Sequence, residues 1–279
     1  MVLDVWFTEK HEDKQGISLK VKEILYNGES EFQKIDIIDT EAYGRVLLLD
    51  GLVMTTEKDE FFYHEMISHV PLLAHPCPEK VLIIGGGDGG TIREVLKHPS
   101  VKEVTLCEID KAVIDVSREY LPSIACCIDD SRVKIHIEDA VEHIKRKKNS
   151  FDAVLIDSTD PLGPGVGLFT EEFYANVRES LRGNGVMAAQ TESPVTCQKE
   201  FKLINSLLNK VFSVVKPYFA PVPTYPGGNW SWTFCSKGLQ PEINNESLAI
   251  EIEKTSKYYN REIYKAVFAV PNYVKNMMD

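Results

Sequence analysis

The sequence predicts an α/β protein: a Rossmann-like, mostly parallel sheet with flanking helices, preceded by a small N-terminal antiparallel β domain. Three observations predict it. From Lys80 onward, short apolar runs alternate with stretches of helical periodicity, the pattern of strand–helix repeats in a parallel sheet. The first of these runs, residues 81–84, ends in Gly85-Gly86-Gly87-Asp88-Gly89-Gly90, where Gly85, Gly87 and Gly90 satisfy G-x-G-x-x-G. The first 58 residues lack that alternation and carry period-two patterns instead.

Each element has its own warrant. Residues 17–22 and 32–37 alternate polar and apolar, and 46–54 form two apolar runs around Asp50-Gly51, a strong hairpin signal. Residues 59–73 read as a helix, with Phe62, Met66, Val70 and Leu73 at helical spacing and Pro76 and Pro78 ending it. Strands are then expected at 81–84, 101–109, 133–137, 153–156 and 186–190. Helices at 91–97, 111–120, 140–147, 171–181 and 199–211 alternate with them. An antiparallel pair, 214–219 with 230–236, and helices near 246–268 complete the chain. The expected division is 1–58 for the β domain and 59–279 for the Rossmann-like domain.

Composition narrows the function classes. With 43% hydrophobic and 26% charged residues in 279, the chain is an ordinary globular protein with ample core. A net charge of −11 argues against a nucleic-acid surface. It suits cationic small molecules, although solubility alone also accounts for it. The N-terminus has no basic-then-apolar leader, and no apolar run approaches ~18 residues. A soluble cytoplasmic protein is expected, with no membrane partner. The six cysteines include no C-x-x-C and read as reduced thiols. His64 and His69 resemble a zinc motif but stand five apart, roughly 140° around a helix, so they cannot share a metal. No metal is predicted.

In parallel sheets ligands bind beyond the carboxyl ends of the strands. The residues following each predicted strand are acidic to an unusual degree. Asp88 sits inside the glycine turn, where it is a poor neighbour for pyrophosphate and a good one for a cation. Glu108 follows the second strand, about 20 residues beyond the glycines, where an acid grips ribose hydroxyls. Asp139 follows the third and could accept from an adenine amine. Asp157-Ser158-Thr159-Asp160-Pro161 follows the fourth, and Gln190 ends the fifth. Singly, Asp139 or Asp157 could be a cap and Glu108 a solvated acid. Together, acids at the first four of these ends with no basic partner nearby call for a cation. The Gly- and Pro-rich stretch 161–169 fits a lid over substrate. The loop Tyr225-Pro226-Gly227-Gly228-Asn229-Trp230, with Tyr63-His64, could wall an aliphatic chain.

These residues resemble a known family. Gly85 to Gly90, Glu108-Ile109-Asp110, Glu138-Asp139-Ala140, Asp157 to Pro161 and Tyr225-Pro226-Gly227-Gly228 together look like the spermidine synthases, the polyamine aminopropyltransferases. The likeness extends over essentially the whole chain, including Tyr63-His64-Glu65-Met66. Some members carry Gln where this chain has His64. The resemblance implies transfer of an aminopropyl group from decarboxylated S-adenosylmethionine to putrescine, giving spermidine and 5′-methylthioadenosine. It implies that Gln33, Glu108, Asp139, Ala140 and Pro164 hold the nucleoside, beside the turn of Gly85 and Gly87, and that Asp88 holds the aminopropyl ammonium. Tyr63, His64, Asp157, Ser158, Thr159, Asp160, Gln190 and Tyr225 would line the amine side. A homodimer or homotetramer is implied, often through the N-terminal sheet. Of the two amine-side acids, Asp157 is the candidate general base and Asp160 the residue orienting the diamine.

Rival readings differ in what they need. Another acceptor (agmatine, cadaverine or spermidine) would change only the pocket's length. An S-adenosylmethionine methyltransferase fits the sheet, but its donor keeps a carboxylate near Asp88. A nicotinamide oxidoreductase shares the glycine turn and Glu108 yet has no use for Asp157 and Asp160. A silent polyamine-binding protein would have no need of both acids.

Overall fold

The computed structural model describes residues 4–11, 14–159 and 163–278, with Gly163 and Pro164 as backbone. The chain runs β1 (Trp6–His11), β2 (Gln15–Glu29), β3 (Lys34–Thr40), β4 (Gly44–Leu49), β5 (Leu52–Thr56) and α1 (Glu60–Ala74). It continues through β6 (Lys80–Gly85), α2 (Gly90–Val95), β7 (Glu103–Glu108), α3 (Lys111–Tyr120), β8 (Val133–Ile137), α4 (Ala140–Lys145) and β9 (Phe151–Asp157). A 3₁₀ turn (Gly163–Leu168) leads to α5 (Glu171–Ser180), β10 (Leu181–Gln190), α6 (Gln198–Val211), β11 (Val214–Pro221) and β12 (Asn229–Ser236). Helices α7 (Glu246–Thr255), α8 (Arg261–Ala266) and α9 (Asn272–Met278) follow.

The first five strands form an antiparallel meander in sequence order. Residues 46–54 form the expected hairpin, with Asp50 at φ 50° and Gly51 at φ 80° in its turn. Strand β1 is the element that sequence reasoning missed. Phe7, Glu9 and His11 share its inner side, so a buried glutamate interrupts the apolar alternation. One face of this sheet packs Ile35, Ile37, Leu47 and Leu49 against Val113, Val116, Leu121 and Ile124, on and just beyond α3.

The second sheet has the order β11-β12-β10-β9-β6-β7-β8. Strands β8, β7, β6, β9 and β10 are parallel, and β12 and β11 close it antiparallel, as expected. Its central strands are apolar throughout because both faces are covered. Val81 and Ile83 enter one core with Leu155 and Phe234, while Leu82 and Ile84 enter the other with Val154 and Ile156. The chain order reverses between β6 and β9, which pair in register through Gly85 and Asp157. A ligand cleft is expected outside the carboxyl ends of two such strands.

Candidate active site

A cleft of about 970 Å³, part of it open to solvent, lies at that reversal. Its wall includes Gln33, Gly85, Gly87, Asp88, Glu108, Asp139, Ala140, Asp157, Ser158, Thr159, Tyr63, His64 and Tyr225. The structure therefore gathers nearly all of the expected site residues. Gln190 lines an adjoining compartment of about 460 Å³ that shares Tyr63, Ser158, Thr159 and Tyr225 with the first. Asp160, with residues 161 and 162 of the expected lid, lies outside the described residues, as does the Pro164 side chain. The rest of that segment is the 3₁₀ turn, whose Gly165 and Leu168 reach the first cavity.

The glycine turn is shaped by its neighbours. Gly85 has φ 76°, and a Cβ on it would stand 2.2 Å from the Asp157 carbonyl oxygen. Only glycine combines that backbone with so close a strand end. At Gly90 the obstacle is a side chain: a Cβ would lie 2.2 Å from Cε1 of His64. The third glycine of the motif admits the imidazole.

Among the residues expected at the nucleoside, Glu108 is buried, and its Oε1 accepts from the Asp110 backbone N–H at 3.0 Å. Burial pushes its carboxyl up to about 7. Gln33, between β2 and β3, donates to Asp110 at 2.9 Å, tying the first sheet to the end of β7. Asp139 caps α4 by accepting from Val141 N–H at 2.7 Å. The capping reading and a ligand-binding one coexist, since the same residue lines the cleft.

Among the residues expected at the amines, Asp88 accepts from Gly90 N–H at 2.8 Å and meets His64 Nε2 at 3.4 Å. The second contact corrects the expectation of acids without basic partners. His64 is a cationic neighbour placed there by α1, and each of its nitrogens faces a carboxylate, Glu60 Oε2 at 2.7 Å being the other. Asp157 accepts from the Thr91 hydroxyl at 2.6 Å and from the Tyr63 hydroxyl. Burial and the charge of Asp88 hold its carboxyl above the usual range. Two carboxylates in one cleft thus have unlike partners: a cation for Asp88, neutral hydroxyls for Asp157.

The second compartment adds residues that sequence reasoning passed over. Glu9 and His11 of β1 line it, and Glu9 also accepts from Val53 N–H at 2.6 Å. Only pairing of β1 with β2 brings them there, so no local motif announces them. Trp230 and Ser158 line it too, and the indole N–H and the hydroxyl are buried without a hydrogen-bond partner among the described residues. The Gln190 amide is committed instead. It donates to the Ser158 carbonyl at 3.3 Å and to Glu192 Oε1 at 3.2 Å, and accepts from Glu192 N–H at 3.0 Å. Gln190 therefore braces the Asp157-Ser158 turn.

The two motif histidines part ways. His69 is buried between Glu94 and His98, at 3.1 Å from each, away from the cleft. Among the described residues, His136, Glu138 and His143 do have metal-like spacing, which the sequence reading did not identify because a strand-to-helix turn creates it. Glu138 is already engaged there by His143 at 2.7 Å and by Arg146.

Comparison with known proteins agrees with this geometry. The family model for the spermine/spermidine synthase domain matches residues 60–247, and that for the spermidine synthase tetramerisation domain matches residues 5–57. A polyamine aminopropyltransferase of Thermoanaerobacter sp. (strain X514) is 48% identical over 277 residues, covering 99% of each chain. Another, from Moorella thermoacetica, is 46% identical over 275 residues, covering 99% of this chain and 96% of its own. A crystal structure of a spermidine synthase in complex with the transition-state analogue AdoDATO superposes with a TM-score of 0.96 at 46% identity. It covers 98% of this chain and 94% of the other. The spermidine synthase from Thermotoga maritima gives a TM-score of 0.94 at 46% identity, with the same coverage. The fold, the cleft at the strand reversal and these full-length matches place the chain in the spermine/spermidine synthase family, as an aminopropyltransferase.

Proposed function

We propose that the protein transfers the aminopropyl group of decarboxylated S-adenosylmethionine to putrescine, releasing spermidine and 5′-methylthioadenosine, with Asp157 as general base. The observation that carries this reading is the pair Asp88 and Asp157, which line the same cavity as Glu108 at the strand reversal, beside a second compartment walled by aromatic rings. The amine nitrogen forms a bond to the carbon beside the sulfonium, and the carbon–sulfur bond breaks to a neutral thioether. Protonation is the obstacle. An alkylammonium with pKa near ~10.4 costs roughly 4 kcal/mol to present as a free amine at pH 7.5. Asp157 takes that proton as the amine attacks, and Asp88 binds the ammonium of the donor's propyl arm. Glu108 holds the ribose hydroxyls, while Gln33, Asp139, Ala140 and Pro164 complete the nucleoside site.

Putrescine is the acceptor because Tyr63, Tyr225 and Trp230 can cover a short chain of methylenes. Their ring centroids pack 5.9 and 4.8 Å apart in sequence. Asp160 belongs to the amine side on this reading. The match to the tetramerisation domain supports self-association through the first sheet. No described helix is long and apolar enough to cross a membrane. The test is incubation with decarboxylated S-adenosylmethionine and a panel of amines, read by mass spectrometry. A gain of one aminopropyl unit is expected on putrescine with the highest kcat/KM. A higher value for agmatine or spermidine would overturn the acceptor assignment, and no transfer to any amine would overturn the reaction.

A further inference from the structure

His64 stands at the end of a charged chain that leads away from the cleft. Its side chain is 2% exposed, with Nδ1 2.7 Å from Glu60 Oε2 and Nε2 3.4 Å from Asp88 Oδ2. A neutral imidazole donates from one nitrogen only, so satisfying both carboxylates requires the doubly protonated ring. Glu60 is itself gripped by Arg93 Nη2 at 2.7 Å, and Arg93 Nε donates to Glu94 Oε1 at 2.8 Å. Glu94 is closed off by His69 at 3.1 Å and Lys97 at 2.5 Å. Signs therefore alternate from Asp88 through His64, Glu60 and Arg93 to Glu94. Gly90 leaves the ring its space in this line, since a Cβ there would lie 2.2 Å from Cε1 of His64.

We propose that Glu60, braced by Arg93, is a positioning residue that fixes His64 as the counter-charge of Asp88 and thereby makes Asp157, rather than Asp88, the carboxylate that receives the amine's proton. The inference rests on the reading of Asp157 as the base. A carboxylate in contact with an imidazolium and a backbone N–H is a weak base, whereas burial and the charge of Asp88 raise the basicity of Asp157 and the neutral hydroxyls of Thr91 and Tyr63 offset this only in part. Pushing two nearby carboxylates apart in this way gives one fold both an anionic anchor and a proton acceptor. The directions agree. His64 holds Asp88 below the usual carboxylate range, and Asp157 lies above it. The groups facing His64 are Glu60 on its own helix, Asp88 from the glycine turn, Asp157 from β9, Arg93 from α2 through Glu60, and the Tyr63 ring. With Glu60 neutral, the imidazole loses one of its two close anions and sheds its proton at lower pH. Asp88 then lacks its counter-charge and competes with Asp157 for the proton.

The experiment compares wild type, Glu60→Gln, His64→Gln and the double variant. His64 is titrated by NMR in the ligand-free, histidine-labelled protein, and kcat is measured against pH with decarboxylated S-adenosylmethionine and putrescine. The His64 midpoint should fall by at least about one unit in Glu60→Gln. Its kcat should drop about tenfold at pH 8.5 and less at pH 6.5, where the imidazolium is restored. Once His64→Gln is present, adding Glu60→Gln should change kcat less than about twofold. Glu60→Asp, which keeps the charge on a shorter arm, should lie between wild type and Glu60→Gln in both readouts. It keeps the question answerable if Glu60→Gln does not fold. An unmoved His64 midpoint, or an equal loss at every pH and in both backgrounds, would overturn the inference. Normal turnover in Asp157→Asn would instead remove the base assignment and the proton-directing half with it, while the NMR titration judges the Glu60 clamp independently.

Discussion

On the proposed reading, the buried carboxylate of Glu108 couples nucleoside binding to pH. Its folded value near 7 lies above the ordinary 4.5 because burial disfavours the anion. A raised folded value means that the ligand-free fold prefers the protonated acid. Its contribution to stability is therefore full below about 4.5 and is lost as pH rises through about 7. Gripping ribose hydroxyls calls for the anion, so binding below that pH must release a proton. The expected outcome is an affinity for 5′-methylthioadenosine that falls by up to about tenfold per pH unit below 7 and is level above it. Calorimetry in buffers of different ionisation enthalpy checks this by counting the proton, and Glu108→Gln should flatten the profile. A wild-type profile with no slope and no proton released would remove Glu108 from the ribose site.

At the scale of elements, the cleft is made by how closely β6 and β9 approach. Gly85→Ala combines a left-handed backbone with a Cβ 2.2 Å from the Asp157 carbonyl oxygen. The strain costs roughly 1–3 kcal/mol and the overpacking a similar amount. Thermal unfolding should show a clear loss of stability, and the displaced Asp157 should lower kcat as well. A variant as stable and active as wild type would mean that the two strand ends separate freely. The parallel strands were legible in the sequence because residues 81–84 and 153–156 are apolar on both faces, a pattern that burial on both sides produces. Strand β1 was not legible, since Glu9 occupies an inward position. Besides His11 on the same strand, it is held by the Val53 N–H, 44 residues away in sequence. Glu60 and Arg93 escaped notice for a related reason. The one-turn spacing of Glu60 and His64 was a visible signal, but the link from α1 to α2 through Arg93 exists only after folding.

The whole molecule places two sheets around one cleft and its adjoining compartment. The seven-stranded sheet supplies Asp88, Glu108 and Asp157 at its strand ends, and the five-stranded sheet contributes Gln33, Met54 and Glu9 from the other side. Tyr225 joins them by donating its hydroxyl to the Met54 carbonyl at 2.5 Å. Acids at the strand ends could be read from the chain because the parallel sheet assigns them one location. Their partners could not, since His64, Tyr63 and Thr91 come from helices whose approach is set by packing. The difference between Asp88 and Asp157 is therefore a property of the folded molecule.

That difference makes Asp157→Asn the most direct test of the account. The measurement is a single-turnover rate with saturating decarboxylated S-adenosylmethionine and putrescine, alongside calorimetric binding of 5′-methylthioadenosine. The variant should bind the nucleoside as wild type does and form spermidine about 10²–10⁴-fold more slowly, the range for loss of a positioned base. Spermidine formed at the wild-type rate by the folded variant would contradict the role of Asp157 and the chemistry built on it.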